Sequence, residues 1–176
     1  TLDERDRRLR LRREGARLAF AAPPRVRTGP LEPELLARLC AGLGLAESEV
    51  LGHQWVDNGP GWCVIRVTDA ARVLSLVPDW SVLGRAKFGV LGAHPAGHDA
   101  QFEIRGFFSG FEDPVTGSLN ASTAQWLMET GQVGDAYVCA QGTAMGRAGR
   151  VHLSRDGDTV WVGGDVAPCV SGTVTL

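Results

Sequence analysis

From Leu119 to Thr130 the chain reads as a helix by propensity, closed by Gly131, and Glu129 is its one charged residue. A helix that meets water keeps a charged face, so a helix without one has to be enclosed by the rest of the fold. What encloses it must come from the flanking sequence. Twenty-three glycines in 176 residues is about twice the usual share of about 7%. They lack the Ser, Gln and Pro bias of a linker and read as tight turns between strands.

Those strands can be placed. Leu9-Arg10-Leu11-Arg12 and Arg17-Leu18-Ala19-Phe20 alternate on either side of Glu14-Gly15 and predict a hairpin. Ala21 to Pro30 carries three prolines and is a loop. Pro33 opens an amphipathic helix through Leu35, Leu36, Leu39, Cys40 and Leu43, stopped by Gly42 and Gly44. Strands are expected over Val50 to Val56 and Trp62 to Val67, joined by Asp57-Asn58-Gly59-Pro60-Gly61. Asp69 caps a helix that runs to Leu76, and Pro78-Asp79 opens another helical turn. Further strands lie near Phe88 to Leu91, Phe102 to Phe108, Ala136 to Gln141, Gly149 to Leu153, Thr159 to Val162 and Thr173 to Leu176, with turns at Gly142 to Arg147 and Asp156-Gly157-Asp158. The expected architecture is α+β, a strongly curved mixed sheet or barrel wrapped around one central buried helix.

Charge and cysteine usage remove several classes. Eighteen basic and 20 acidic residues leave a net charge of -2, without the long-range attraction to phosphate that nucleic-acid binders use. The seven arginines of the first 17 residues are interspersed with Asp3, Glu4, Asp6 and Glu14 and read as a solvated face. No apolar run approaches the roughly 18 residues of a membrane span, and no signal peptide follows the basic start. Cys40, Cys63, Cys139 and Cys169 are far apart and form neither a zinc spacing nor a disulfide scaffold, which points to the cytoplasm. The chain opens at Thr1, and a segment upstream of it is expected.

The chemistry concentrates where the buried helix begins. Thr116-Gly117-Ser118 presents unpaired backbone N–H groups and the positive end of the helix dipole to whatever precedes them, an arrangement suited to an anion. Just before it stands Asp113, which on the residues alone is either a site carboxylate or a cap on nearby amides. Glu112-Asp113-Pro114-Val115-Thr116-Gly117-Ser118, preceded by Ile104-Arg105-Gly106-Phe107-Phe108 and followed by Gln141-Gly142, Gly146-Arg147 and Gly163-Gly164, resembles the PhzF-like isomerases of phenazine biosynthesis. Leu119-Asn120-Ala121 departs from the usual Ala-His continuation.

The resemblance implies a diaminopimelate-epimerase-like fold, in which two similar lobes face each other across the active site, and it matches the C-terminal lobe only. Residues 1–14 then form a charged lead and the first strand of a hairpin, and 15–176 the lobe. The resemblance implies that Asp113 is the acidic catalytic residue of this lobe, and that Thr116, Gly117 and Ser118 hold a substrate carboxylate. Asn58 falls where more distant epimerases place a substrate-contacting asparagine. The family's glutamate base belongs to the first lobe and has no match here. Moving a proton from carbon needs a base, a conjugate acid and dipoles that stabilise developing charge, and that scheme requires no metal or organic cofactor.

Plainer roles are expected elsewhere. Neighbours in an extended segment point apart, so Glu112 is structural, and Arg105 forms a buried ion pair with a nearby carboxylate. His94-Pro95-Ala96-Gly97-His98-Asp99 lacks the helix that would align two imidazoles on a metal and reads as an exposed loop. The stretch from Gly142 to Gly149 lacks the Lys-Ser/Thr of a phosphate loop and reads as a strand connection. Functionally the chain reads as an isomerase or epimerase lobe acting on a small carboxylic acid, completed by an upstream segment, a separate first-lobe chain or a second copy in a homodimer. The alternatives are a non-catalytic small-acid binder and an interaction domain derived from the same lobe. No nucleic acid or membrane partner is expected.

Overall fold

A computed structural model describes residues 9–173. Strands β1 (Leu11–Glu14) and β2 (Arg17–Ala21) form the expected hairpin, turning at Gly15 with φ 62°. Helix α1 (Pro33–Leu43) has proline in its first turn and ends at Gly44 in the left-handed conformation. After a 3-10 turn come β3 (Gly52–Trp55) and β4 (Cys63–Arg66). Helix α2 (Ala70–Ser75) is capped by Asp69, whose carboxylate accepts the Arg72 N–H at 2.8 Å, and α3 (Trp80–Leu83) by Asp79. Then follow β5 (Lys87–Ala93), β6 (Phe102–Phe108), β7 (Phe111–Asp113), the buried helix α4 (Gly117–Glu129), β8 (Ala136–Gln141), β9 (Gly149–Asp156) and β10 (Thr159–Asp165).

All the strands join one mixed sheet of order β1-β2-β10-β9-β8-β6-β5-β4-β3, with β7 on β6. Alternation along the strands divides the interior in two. Val64, Leu91, Phe102 and Ile104 pack with Leu119, Ala121, Ala124, Trp126, Leu127 and Met128 of α4 and with Val151, Leu153, Val160 and Val162. Their neighbours Cys63, Ile65, Phe88, Val90 and Phe107 face the other way, against Leu39, Cys40 and Leu43 of α1, Val73 of α2 and Leu83 of α3. Helix α4 is buried along nearly its whole length, as its lack of a charged face demands.

Two expectations about the architecture need correction. The sheet is not a closed barrel, because β1 and β3 remain its two ends. The chain between β2 and α1 lies beside the β3 end and contributes a single isolated bridge, Arg27↔Asp57. Pro23, Pro24 and Pro30 in that stretch carry no N–H to extend a ladder. Nor is α4 the only helix that organises the core, since α1, α2 and α3 bury a second face of the same sheet.

Strand β7 is a further difference, a paired strand where the sequence reading has only an extended segment before the helix. It exists because Ser109 and Gly110, with φ 49° and 90°, turn the chain straight back on β6. Strands β5, β9 and β10 are longer than expected and β3 is shorter. The strand expected at 173–176 falls outside the described residues except for Thr173, which lies in no strand. Of the arginine-rich start, residues 1–8 are likewise outside. The Arg12 guanidinium lies 4.1 Å from the ring centre of Trp161 and bonds Ser154 and Asp156. No described helix is long and apolar enough to cross a membrane.

Candidate active site at the start of the buried helix

The sequence Glu112-Asp113 ends β7, and strand alternation sends the two carboxylates to opposite faces. Glu112 turns to the α2 side, where its two oxygens accept from Arg105 Nε at 2.9 Å and Nη2 at 2.7 Å. Asp113 turns to the α4 side, and its Oδ2 accepts the Thr116 hydroxyl at 2.9 Å. The structural roles expected for Glu112 and Arg105 are thus the ones they have.

Beneath this turn lies Gln141, the last residue of β8, fully buried and with its amide saturated. Its Oε1 accepts the Thr116 backbone N–H at 2.9 Å and Asn120 Nδ2 at 2.8 Å. Its Nε2 donates to the Asp113 carbonyl and to Thr116 Oγ1, both at 2.9 Å. Space for this network depends on Gly106, where a Cβ would stand 2.8 Å from Thr116 Oγ1 and 3.3 Å from Gln141 Nε2. Thr116 therefore spends its backbone N–H and its hydroxyl inside the protein, and holds Asp113 in place.

Immediately beyond, the N–H groups of Gly117, Ser118 and Leu119 have no acceptor among the described residues. Ser118 Oγ accepts from Trp62 Nε1 at 2.9 Å, and the Ser118 carbonyl accepts from Asn58 Nδ2 at 2.9 Å. Asn58 Oδ1 is buried without a partner among the described residues. Asp113, Thr116, Gly117, Ser118 and Asn58 are thus gathered at one end of α4. Three polar residues of this end were given no site role in the sequence reading: Gln141, Asn120 and Trp62. The signal for Gln141 was present, a lone amide ending the otherwise apolar run Ala-Tyr-Val-Cys-Ala.

Asp113, Gly117, Ser118 and Asn58 are partly exposed at this end of the molecule. Phe108, Phe111, Val115 and Met145 lie exposed on segments that border it, Phe111 by 67%. Cavities of about 370 and 510 Å³ open elsewhere, one under the His94–His98 loop and one beside Arg27 and Trp55. In that loop the two imidazoles stack with centres 3.7 Å apart, and His94 Nε2 lies 3.2 Å from Glu103 Oε2. Among the described residues no three His, Cys, Asp or Glu are arranged to hold a metal.

Residues 12–172 match the family model of phenazine biosynthesis-like proteins, PhzC-PhzF. The chain belongs to the PhzC-PhzF family. Among its relatives is Antisense-enhancing sequence 1 of Schizosaccharomyces pombe, 30% identical over 147 residues, an alignment covering 71% of this chain and 47% of that protein. A PhzF-family protein of Enterococcus faecalis superposes with TM-score 0.67 at 19% identity, covering 88% of this chain and 56% of that one. A PhzC/PhzF protein of Clostridium difficile (strain 630) gives TM-score 0.67 at 19% identity, covering 96% and 61%. A protein of Pseudomonas aeruginosa described as a predicted epimerase gives TM-score 0.62 at 22% identity, covering 89% and 58%. At these identities the superpositions show a shared fold. This PhzC-PhzF chain spans about half the length of its curated relative.

Proposed function

We propose that this chain is one lobe of a PhzF-like isomerase or epimerase, moving a proton on carbon in a small carboxylic acid without metal or organic cofactor. The observation that carries the reading is the juxtaposition at the start of α4 of a held carboxylate, Asp113, with the N–H groups of Gly117, Ser118 and Leu119, which have no acceptor among the described residues. The amides and the helix dipole suit a substrate carboxylate, and in this reading Asp113 exchanges a proton with a neighbouring carbon. Asn58 Oδ1 offers an acceptor for a substrate donor. The family glutamate base is then contributed across this partly exposed end by a first lobe, on another segment, another chain or a second copy. The exposed Phe108, Phe111, Val115 and Met145 support such a cover. In this reading the working particle is a dimer or a complex in the cytoplasm.

The test is solvent deuterium incorporation at carbon, followed by NMR over a panel of α-amino and 2-hydroxy acids, on the chain alone and with a first lobe. Asp113→Asn keeps the shape but cannot carry a proton at neutral pH, and should lower incorporation by about 10²–10⁴-fold while sparing acid binding. Equal incorporation in both forms removes Asp113 from the mechanism.

A second reading, a small-acid binder without turnover, draws on the same helix-start amides of Gly117, Ser118 and Leu119, which suit a carboxylate whether or not a proton moves. Melting shifts with the same acids, in the absence of any incorporation, would favour it.

A further inference from the structure

Resting on the reading of Asp113 as a proton carrier, we infer that Gln141 is a positioning residue that confines proton exchange to one carboxylate oxygen, Oδ1, of Asp113. The argument is one of polarity. A backbone N–H only donates and a carbonyl only accepts, and Gln141 is bonded to one of each, Thr116 N–H at 2.9 Å and the Asp113 carbonyl at 2.9 Å. These two contacts leave a single orientation for its amide, with Oε1 toward Thr116 N and Nε2 toward Asp113.

The consequence passes to Thr116. Its hydroxyl oxygen accepts a hydrogen bond from Gln141 Nε2 at 2.9 Å, so its own hydrogen is directed to the remaining neighbour, Asp113 Oδ2, at 2.9 Å. Oδ2 is thereby engaged as an acceptor, and a proton arriving at or leaving Asp113 does so at Oδ1. Gln141 lies fully buried and Thr116 is 5% exposed, so water does not compete for the bonds between them. The Gln141 bond to the Asp113 carbonyl also pins the backbone that carries the carboxylate, and Gly106 leaves the space in which the chain closes. Gln141 acts through Thr116 and is not placed at the substrate.

The full chain, labelled with carbon-13 at Thr and Asp, tests this by NMR. The Thr116 hydroxyl proton should be visible, slow to exchange and correlated with the Asp113 carboxyl carbon. Thr116→Ser should retain the signature, whereas Gln141→Met, of similar volume but without donors, should speed hydroxyl exchange by at least about tenfold, a loss of roughly one hydrogen bond. An unchanged signature in Gln141→Met, with melting showing both variants folded, overturns the inference. Should Gln141→Met fail to fold, Gln141→Leu, which likewise has no donor, serves in its place, and retention of the signature by that variant overturns it equally. With any acid of the panel that exchanges, Gln141→Met should reduce kcat by about tenfold or more with KM within about twofold. Equal losses in both would assign Gln141 a structural role only. If no acid exchanges, the isomerase reading falls while the hydroxyl signature still decides the geometry.

Discussion

Arg105 and Glu112 meet on one face of the β6–β7 ribbon in a two-toothed ion pair, with side chains 7% and 15% exposed. Arg105 also donates Nη1 to the carbonyls of Val73 and Leu76 at the end of α2, at 3.1 and 2.7 Å. It thus ties a helix C-terminus, where a cation is favoured, to the strand that carries Asp113. Because Phe107 pairs with Glu112 and Gly106 with Asp113, holding Glu112 on the α2 face directs Asp113 to the α4 face. The ion pair lies behind the candidate site and sets which way its carboxylate points.

Removing one member of a buried pair leaves the other charge uncompensated. Arg105→Met should therefore cost about 3–5 kcal/mol in urea unfolding, and the double variant with Glu112→Met should recover much of that loss. A cost near that of a surface substitution would show that the pair is solvated.

Leu127 is fully buried in α4 among residues of the larger core cluster. Leu127→Ala should destabilise by about 2–5 kcal/mol, the cost of lost transfer energy and a residual cavity. Chemical denaturation that registers less than about 1 kcal/mol would place the helix at the periphery.

Cys40, Cys63 and Cys139 are buried and Cys169 is exposed, all as free thiols. Burial pushes the Cys63 thiol up to about 12 and raises those of Cys40 and Cys139, so their reactive thiolates are scarce near neutrality. Iodoacetamide at pH 8 should label Cys169 alone in the native protein, with the other three reacting after denaturation. Rapid labelling of Cys63 without denaturant would contradict its burial.

Burial, with a smaller effect from Arg17, holds His152 below its ordinary value. The folded state then binds this proton less readily than the unfolded chain, whose histidines titrate near about 6.5. Stability from this group is complete above that pH and is lost as pH falls through the folded value. His152→Gln should flatten the stability profile below about pH 6.5, measured by urea unfolding at several pH values. An unchanged slope would mean that His152 ionises freely in the fold.

Local chemistry made much of this legible from the residues. The chargeless run from Leu119 announced a buried helix, Asp69 and Asp79 announced the caps of α2 and α3, and Gly15 the first turn. Each is decided by interactions within a few residues, which is why a one-dimensional reading finds them. The EDPVTGS string gave the resemblance that the family match over residues 12–172 bears out.

What stayed hidden depends on residues far apart in the chain. Gln141 reaches Asp113 from 28 positions away and Trp62 reaches Ser118 from 56, contacts that exist only once β8 and β4 are set beside α4. The closure of the sheet was equally out of reach, because whether two edges pair depends on how far apart the fold leaves their N–H and C=O groups. Sequence determined the pieces and the direction in which each strand presents its side chains. Tertiary structure decided which buried polar groups satisfy one another, because a hydrogen bond acts over about 3 Å of space whatever the separation along the chain.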